Sequence, residues 1–216
     1  MTELHINNDT HYPIPGILWM CGATIFFSVS FTLVKFLQDS GLTVFQAVLF
    51  RQVLGFGIFL PLVLTNRKLT HLKTGIPFKH SLRAVFGFLG MCTGYYSLAL
   101  INVADSVALQ FTLPIFTLFC AALILHEKIY FNRVLATVIG FFGVLIIVRP
   151  GFSEINLGII LAILSAATHA LADTFARYLA RYDSLTSIMI FNFLFTIPLA
   201  LVPAVIWWAP ISFESL

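Results

Sequence analysis

Apolar residues in this chain run on continuously instead of alternating. Oily stretches cover Ile17 to Leu37, Thr43 to Leu64, Ser81 to Leu100, Ala104 to Leu125, Val134 to Val148, Leu157 to Leu179 and Ser187 to Trp208, with short polar links between them. Most approach 20 residues, and at about 1.5 Å per residue a helix of that length crosses a hydrocarbon core of about 30 Å. The pattern predicts about seven membrane-spanning helices. A barrel would need alternation. Val134 to Val148 is short, but Arg133 and Arg149 at its two ends can reach the interfaces along their aliphatic stems.

Inside these stretches, polar residues fall at helical spacing. Thr24, Ser28, Thr32 and Lys35 stripe the first span, Ser106, Gln110, Pro114 and Thr117 the fourth, and Ser165, His169, Asp173 and Arg177 the sixth. Hydrocarbon satisfies none of these groups, so the stripes are expected to turn toward each other or toward a watery cavity. The competing explanation is that Ser and Thr bond their own backbone carbonyls and need no cavity. Arg51 lies deep in the second span, where a cation costs about 2.5–3.5 kcal/mol to insert. It is read as facing the cavity, where it can hold a carboxylate-bearing group by paired hydrogen bonds. The alternative is a structural cation, bonded to backbone carbonyls or to Asp105, or reaching the outer interface.

Asp173 and His169 are the candidates for proton handling. Arg177, four residues after Asp173, offers an inert ion pair instead. Gly87, Gly90, Gly94, Gly140 and Gly143 permit close helix approach. Pro114 interrupts the fourth helix and can act as a hinge. Tyr95, Tyr96, Trp207 and Trp208 read as interfacial anchors; either tyrosine can reach the cavity, and Tyr96 is the one assigned to its wall.

Composition then narrows the class. The chain is 59% hydrophobic and 10% charged, with a mean hydropathy of +0.97, against about 45–50% apolar and about 25% charged for a soluble domain. Such a chain cannot cover a water-facing surface. The 12 Lys and Arg fix an orientation. With the N-terminus inside, Arg67, Lys68, Lys73, Lys79, Arg83, Lys128, Arg133, Arg177 and Arg181 are cytoplasmic, while Lys35 and Arg149 are outside and Arg51 is within the membrane. The net charge of +3 therefore calls for anionic lipid and no nucleic acid. Residues 1–15 lack Lys, Arg and a convincing cleavage site, and read as a retained cytoplasmic tail. Cys21, Cys92 and Cys120 lie in apolar runs, which argues against disulfides and a metal site. No cofactor is implied.

The chain also repeats itself. Gly16 aligns with Gly158, Thr32 with Thr174 and Lys35 with Arg177; after one inserted residue, Leu42 and Thr43 align with Leu185 and Thr186. A five-span unit, 16–151, is followed by a second, 157–216, that holds about two spans. An odd number of spans turns the second copy upside down, the plan of many secondary transporters. About three helices of that copy are then missing, as in a truncated product.

On these residues the chain resembles the EamA-type transporters of the drug/metabolite transporter superfamily. The marks are Arg83 opening the third span, small residues before the fourth, Pro114 with Phe116, His126–Glu127–Lys128 where the family usually has Gly-Glu or Asn-Glu, and the closing Gly140, Gly143 and Pro150. "ALADTFARYLARYDSLTSIMIFNF" and "SFESL" are similar to the bacterial S-adenosylmethionine uptake branch, which has an acidic residue at the position of Asp173. The resemblance implies an all-α inner-membrane protein with ten helices in two inverted five-helix repeats, about seven of them present here, and a central cavity served by alternating access.

The expectation is a secondary carrier of a small polar metabolite, S-adenosylmethionine or a similar zwitterion, coupled to protons or to counter-substrate. Arg51, Thr24, Ser28, Tyr96, Gln110, Thr117 and His169 would bind it, Asp173 or His169 would couple it, and a homodimer is admitted. The rivals are a truncated, non-transporting remnant, a seven-helix receptor and an intramembrane enzyme. A retinal protein needs a Lys in its last span, and Ser187 to Trp208 has none. Neither a Gly-x-Ser-x-Gly nor a His-Glu-x-x-His run is present.

Overall fold

The computed structural model describes residues 13–65, 74–148 and 156–210. The tail up to residue 12, Arg67, Lys68, Lys73, Arg149, Pro150, Gly151 and the final "SFESL" lie outside the described residues, and so do the expectations placed on them. Among the described residues the chain is helical without strands: α1 Pro13–Asp39, α2 Val44–Thr65, α3 Pro77–Leu100, α4 Val103–Gln110, α5 Leu113–Leu125, α6 Phe131–Val148, α7 Leu157–Leu179 and α8 Leu185–Ile206. Helices α4 and α5 make one broken span, with the break at Phe111–Thr112 just before Pro114, whose missing N–H falls in the first turn of α5.

Among the described residues, five segments are long and apolar enough to cross a membrane: Gly16–Asp39, Val44–Pro61, Val103–Leu125, Leu157–Leu179 and Leu185–Ile206. Phe131–Gly143 is apolar but shorter. Helix α3 is as long as its neighbours yet less apolar, and its place in the bundle explains why. It packs on α1, α2, α4, α7 and α8, most extensively on α7, so protein replaces lipid around much of it. His80, Ala84, Gly90, Cys92, Gly94, Tyr95, Ser97 and Leu98 are buried there.

Local signals set the helix ends. Gly41 turns α1 into α2 at φ 95°, a conformation that side chains rarely adopt. Asn156 caps α7 by accepting from Ile159 N at 3.1 Å, and Ser184 caps α8 by accepting from Ser187 N at 3.2 Å. His126 ends α5 at φ 55°, in the left-handed region where glycine or asparagine is the usual choice.

The two ends of the bundle differ. At one end, Phe31, Val34, Val44, Val48, Leu98 and Ala204 form the apolar core. Gln46 ties α2 to the end of α8 there, donating from Nε2 to the Ala209 carbonyl at 2.9 Å. The opposite, basic end carries Lys79, Lys128, Arg133, Arg177 and Arg181, with Arg83 farther in, at the cavity. There His80 Nε2–H donates to Asp183 Oδ2 at 2.7 Å, Thr74 Oγ1 donates to the same oxygen at 2.7 Å, and Phe191 packs against the imidazole.

Candidate functional site

A cavity of about 420 Å³ opens between the helices, within the usual range of about 300–1,000 Å³ for small-molecule sites. Helix α7 faces it with Ser165, His169 and Asp173, one per turn. Helix α3 stands opposite with Gly87, Gly90 and Gly94. These two patterns need each other. A Cβ on Gly90 would lie 2.5 Å from His169 Nδ1, and one on Gly94 would lie 2.8 Å from Ser165 Oγ. The polar stripe of α7 fits because its partner has no side chains there. Gly140 and Gly143, expected to bring helices together, meet nothing within 4 Å, because α6 sits at the margin of the described bundle.

Hydrogen bonds hold the walls in place. Ser165 Oγ donates to the Gly90 carbonyl at 2.8 Å and accepts from Gln110 Nε2 at 2.9 Å, which joins α3, α4 and α7. His169 Nδ1–H donates to the Ser165 carbonyl at 3.0 Å, leaving Nε2 as the acceptor nitrogen. Arg51 enters from α2. Its Nη1 donates to Tyr95 Oη at 3.0 Å, and its guanidinium lies 5.7 Å from the centre of the Phe27 ring. Asp105 is not its partner.

Of the residues assigned from the sequence, Arg51, Gln110, His169 and Asp173 stand in this cavity wall. Thr24 and Ser28 do not. Both are exposed on α1 and bond the Cys21 and Thr24 carbonyls at 2.9 Å each, so they satisfy themselves without a cavity. The inward face of α1 is aromatic, with Phe27 and Phe31. Tyr96 is also outside the wall: it is 41% exposed and meets Phe45 edge-on at 6.0 Å, while its neighbour Tyr95, 1% exposed, reaches Arg51. Thr117 bonds the Leu113 carbonyl at 2.9 Å and lines a separate groove of about 610 Å³ between α5, α6 and α7. Asp173 borders both spaces. No ion pair closes between Asp173 and Arg177. Sequence reasoning missed Gln52, Asn192 and Arg83 as wall residues. The signal for Arg83 was its place one and a half turns inside α3, hidden by a span start read at Ser81.

The comparisons with known proteins point one way. Residues 14–149 match the EamA-like transporter family. The S-adenosylmethionine uptake transporter of Rickettsia prowazekii is 31% identical over 200 residues, covering 92% of this chain and 67% of that protein. That of Rickettsia felis is 30% identical over 202 residues, covering 93% and 68%. The riboflavin transporter of Vibrio cholerae is 26% identical over 200 residues, covering 92% and 67%. A crystal structure at 18% identity superposes with a TM-score of 0.61 over 89% of this chain and 69% of that one, a likeness of fold alone.

Proposed function

The chain belongs to the EamA-like transporter family, a multi-pass membrane transporter and not an enzyme, and we propose that it carries a small zwitterionic metabolite, S-adenosylmethionine first among those to test. Transport is secondary, by alternating access at the cavity between α2, α3, α4 and α7. The membrane is the bacterial inner membrane, with the basic end cytoplasmic, in keeping with the positive-inside bias. The observation that carries this reading is the cavity itself: cationic, anionic and neutral hydrogen-bonding groups, Arg51, Asp173, Gln110 and His169, converge in one space inside an otherwise apolar bundle.

Charge favours S-adenosylmethionine over riboflavin, the molecule named in more distant relatives. Riboflavin is uncharged and would leave Asp173 and the guanidinium groups of the cavity without any ionic partner. S-adenosylmethionine supplies a carboxylate, an ammonium and a sulfonium, and Phe27 and Phe31 offer faces to its cation and its base. Asp173 and His169 are the coupling groups.

Uptake of labelled S-adenosylmethionine into proteoliposomes holding the full chain tests the proposal. Saturable accumulation, competed by unlabelled compound and weakly by riboflavin, is the expected result. A chain that neither binds nor accumulates S-adenosylmethionine refutes the proposal.

A further inference from the structure

Arg83 stands roughly one and a half turns inside α3 and lines the cavity. Its Nε and Nη1 are buried, and neither has a hydrogen-bond partner among the described residues. Guanidinium donors buried in that way are costly to leave unmade. Asp173 faces the same cavity from α7, close enough for the two charges to attract. Yet no ion pair closes between them. Three other pairs of opposite charge do close among the described residues: Lys35 with Asp39 at 3.2 Å, His80 with Asp183 at 2.7 Å and Arg181 with Glu127 at 3.4 Å. Arg51, the other guanidinium of the cavity, already has the Tyr95 hydroxyl and the face of Phe27.

We propose that Arg83 and Asp173 form a receptor for an α-amino-acid group, with the guanidinium taking the carboxylate and Asp173 taking the ammonium. A zwitterion of that kind presents both charges a short distance apart and fills the gap that the two side chains leave. Carboxylate recognition then belongs to Arg83, while Arg51 donates hydrogen bonds to the neutral adenosine part of the ligand. The inference rests on the transporter reading above and adds which end of the substrate lies where. The arrangement also explains why the cavity needs two cations against one carboxylate: each guanidinium has a separate task.

The test is a cycle that changes ligand and protein together. Binding of S-adenosylmethionine and of its decarboxylated analogue, which lacks only the carboxylate, is measured on the purified full chain and on its Arg83→Gln, Arg83→Lys and Arg51→Gln variants. The wild type is expected to prefer S-adenosylmethionine by about 10- to 100-fold. Arg83→Gln is expected to bind both compounds alike, Arg83→Lys to keep part of the preference, and Arg51→Gln to weaken both compounds while keeping it. A preference that survives in Arg83→Gln, or that disappears in Arg51→Gln instead, overturns the assignment and leaves the transporter reading standing. Binding of neither compound by the wild type refutes the zwitterion reading, and this inference with it.

Discussion

A hydrogen at Gly90 in place of a methyl group decides where His169 can stand, since a Cβ there would meet the imidazole at 2.5 Å. Gly90→Ala is therefore expected to push the ring off the Ser165 carbonyl and to weaken zwitterion binding by about tenfold or more, the usual consequence of overpacking. Gly87→Ala is the control, because its Cβ would make an ordinary contact with Ala172 at 3.9 Å. Equal losses in the two variants, measured by calorimetric titration, would contradict the steric argument. Tyr95→Phe removes the oxygen that holds Arg51 and is expected to cost about 0.5–1.5 kcal/mol of binding. Tyr96→Phe should change nothing. At this scale Arg51, Gln110, His169 and Asp173 were legible in the sequence, because a lipid-buried charge or amide must find polar company, whereas Gln52, Asn192 and Arg83 were not. Hydroxyls were not legible, since Thr24 and Ser28 satisfy themselves on their own helix. Nor was the choice between adjacent tyrosines, which point in directions about 100° apart on a helix.

At the scale of elements, α5 ends on a residue that works against its own backbone. His126 sits at φ 55°, exposed, where an L side chain is strained and glycine is free. His126→Gly is expected to raise stability by about 1 kcal/mol in denaturant titration, without altering binding; a loss of stability would mean that the imidazole makes a contact that outweighs the strain. The helices themselves were legible as continuous apolar runs, and the break in the fourth span was legible at Pro114. The start of α3 was not. Lys79 and His80 lower the local hydropathy, so the span was read from Ser81, whereas the helix begins at Pro77. That short error moved Arg83 from the interior to the margin and turned a cavity residue into an apparent topology signal.

Across the whole molecule, the apolar core closes one end of the bundle, and a polar cluster ties the other. The His80–Asp183–Thr74 cluster joins the start of α3 to the turn between α7 and α8. Asp183→Asn is expected to lower stability by about 1–3 kcal/mol, since it weakens two bonds at a buried oxygen. An unchanged denaturation midpoint would show that the cluster carries no load. The lower apolarity of α3 was legible in the sequence, but its central position was not, because a hydropathy pattern does not say which helices surround it.

The account depends on a wet cavity inside the bilayer. The direct measurement replaces Cys21, Cys92 and Cys120, introduces single cysteines at Gln110, Asn192, Ile58 and Ile139, and compares labelling in membranes by a charged, water-borne thiol reagent. Gln110→Cys and Asn192→Cys are expected to react and to be protected by S-adenosylmethionine, while Ile58→Cys and Ile139→Cys, 70% and 62% exposed on the outer surface of the bundle, stay unreactive. Reaction at the two surface positions, with none at 110 and 192, would contradict it.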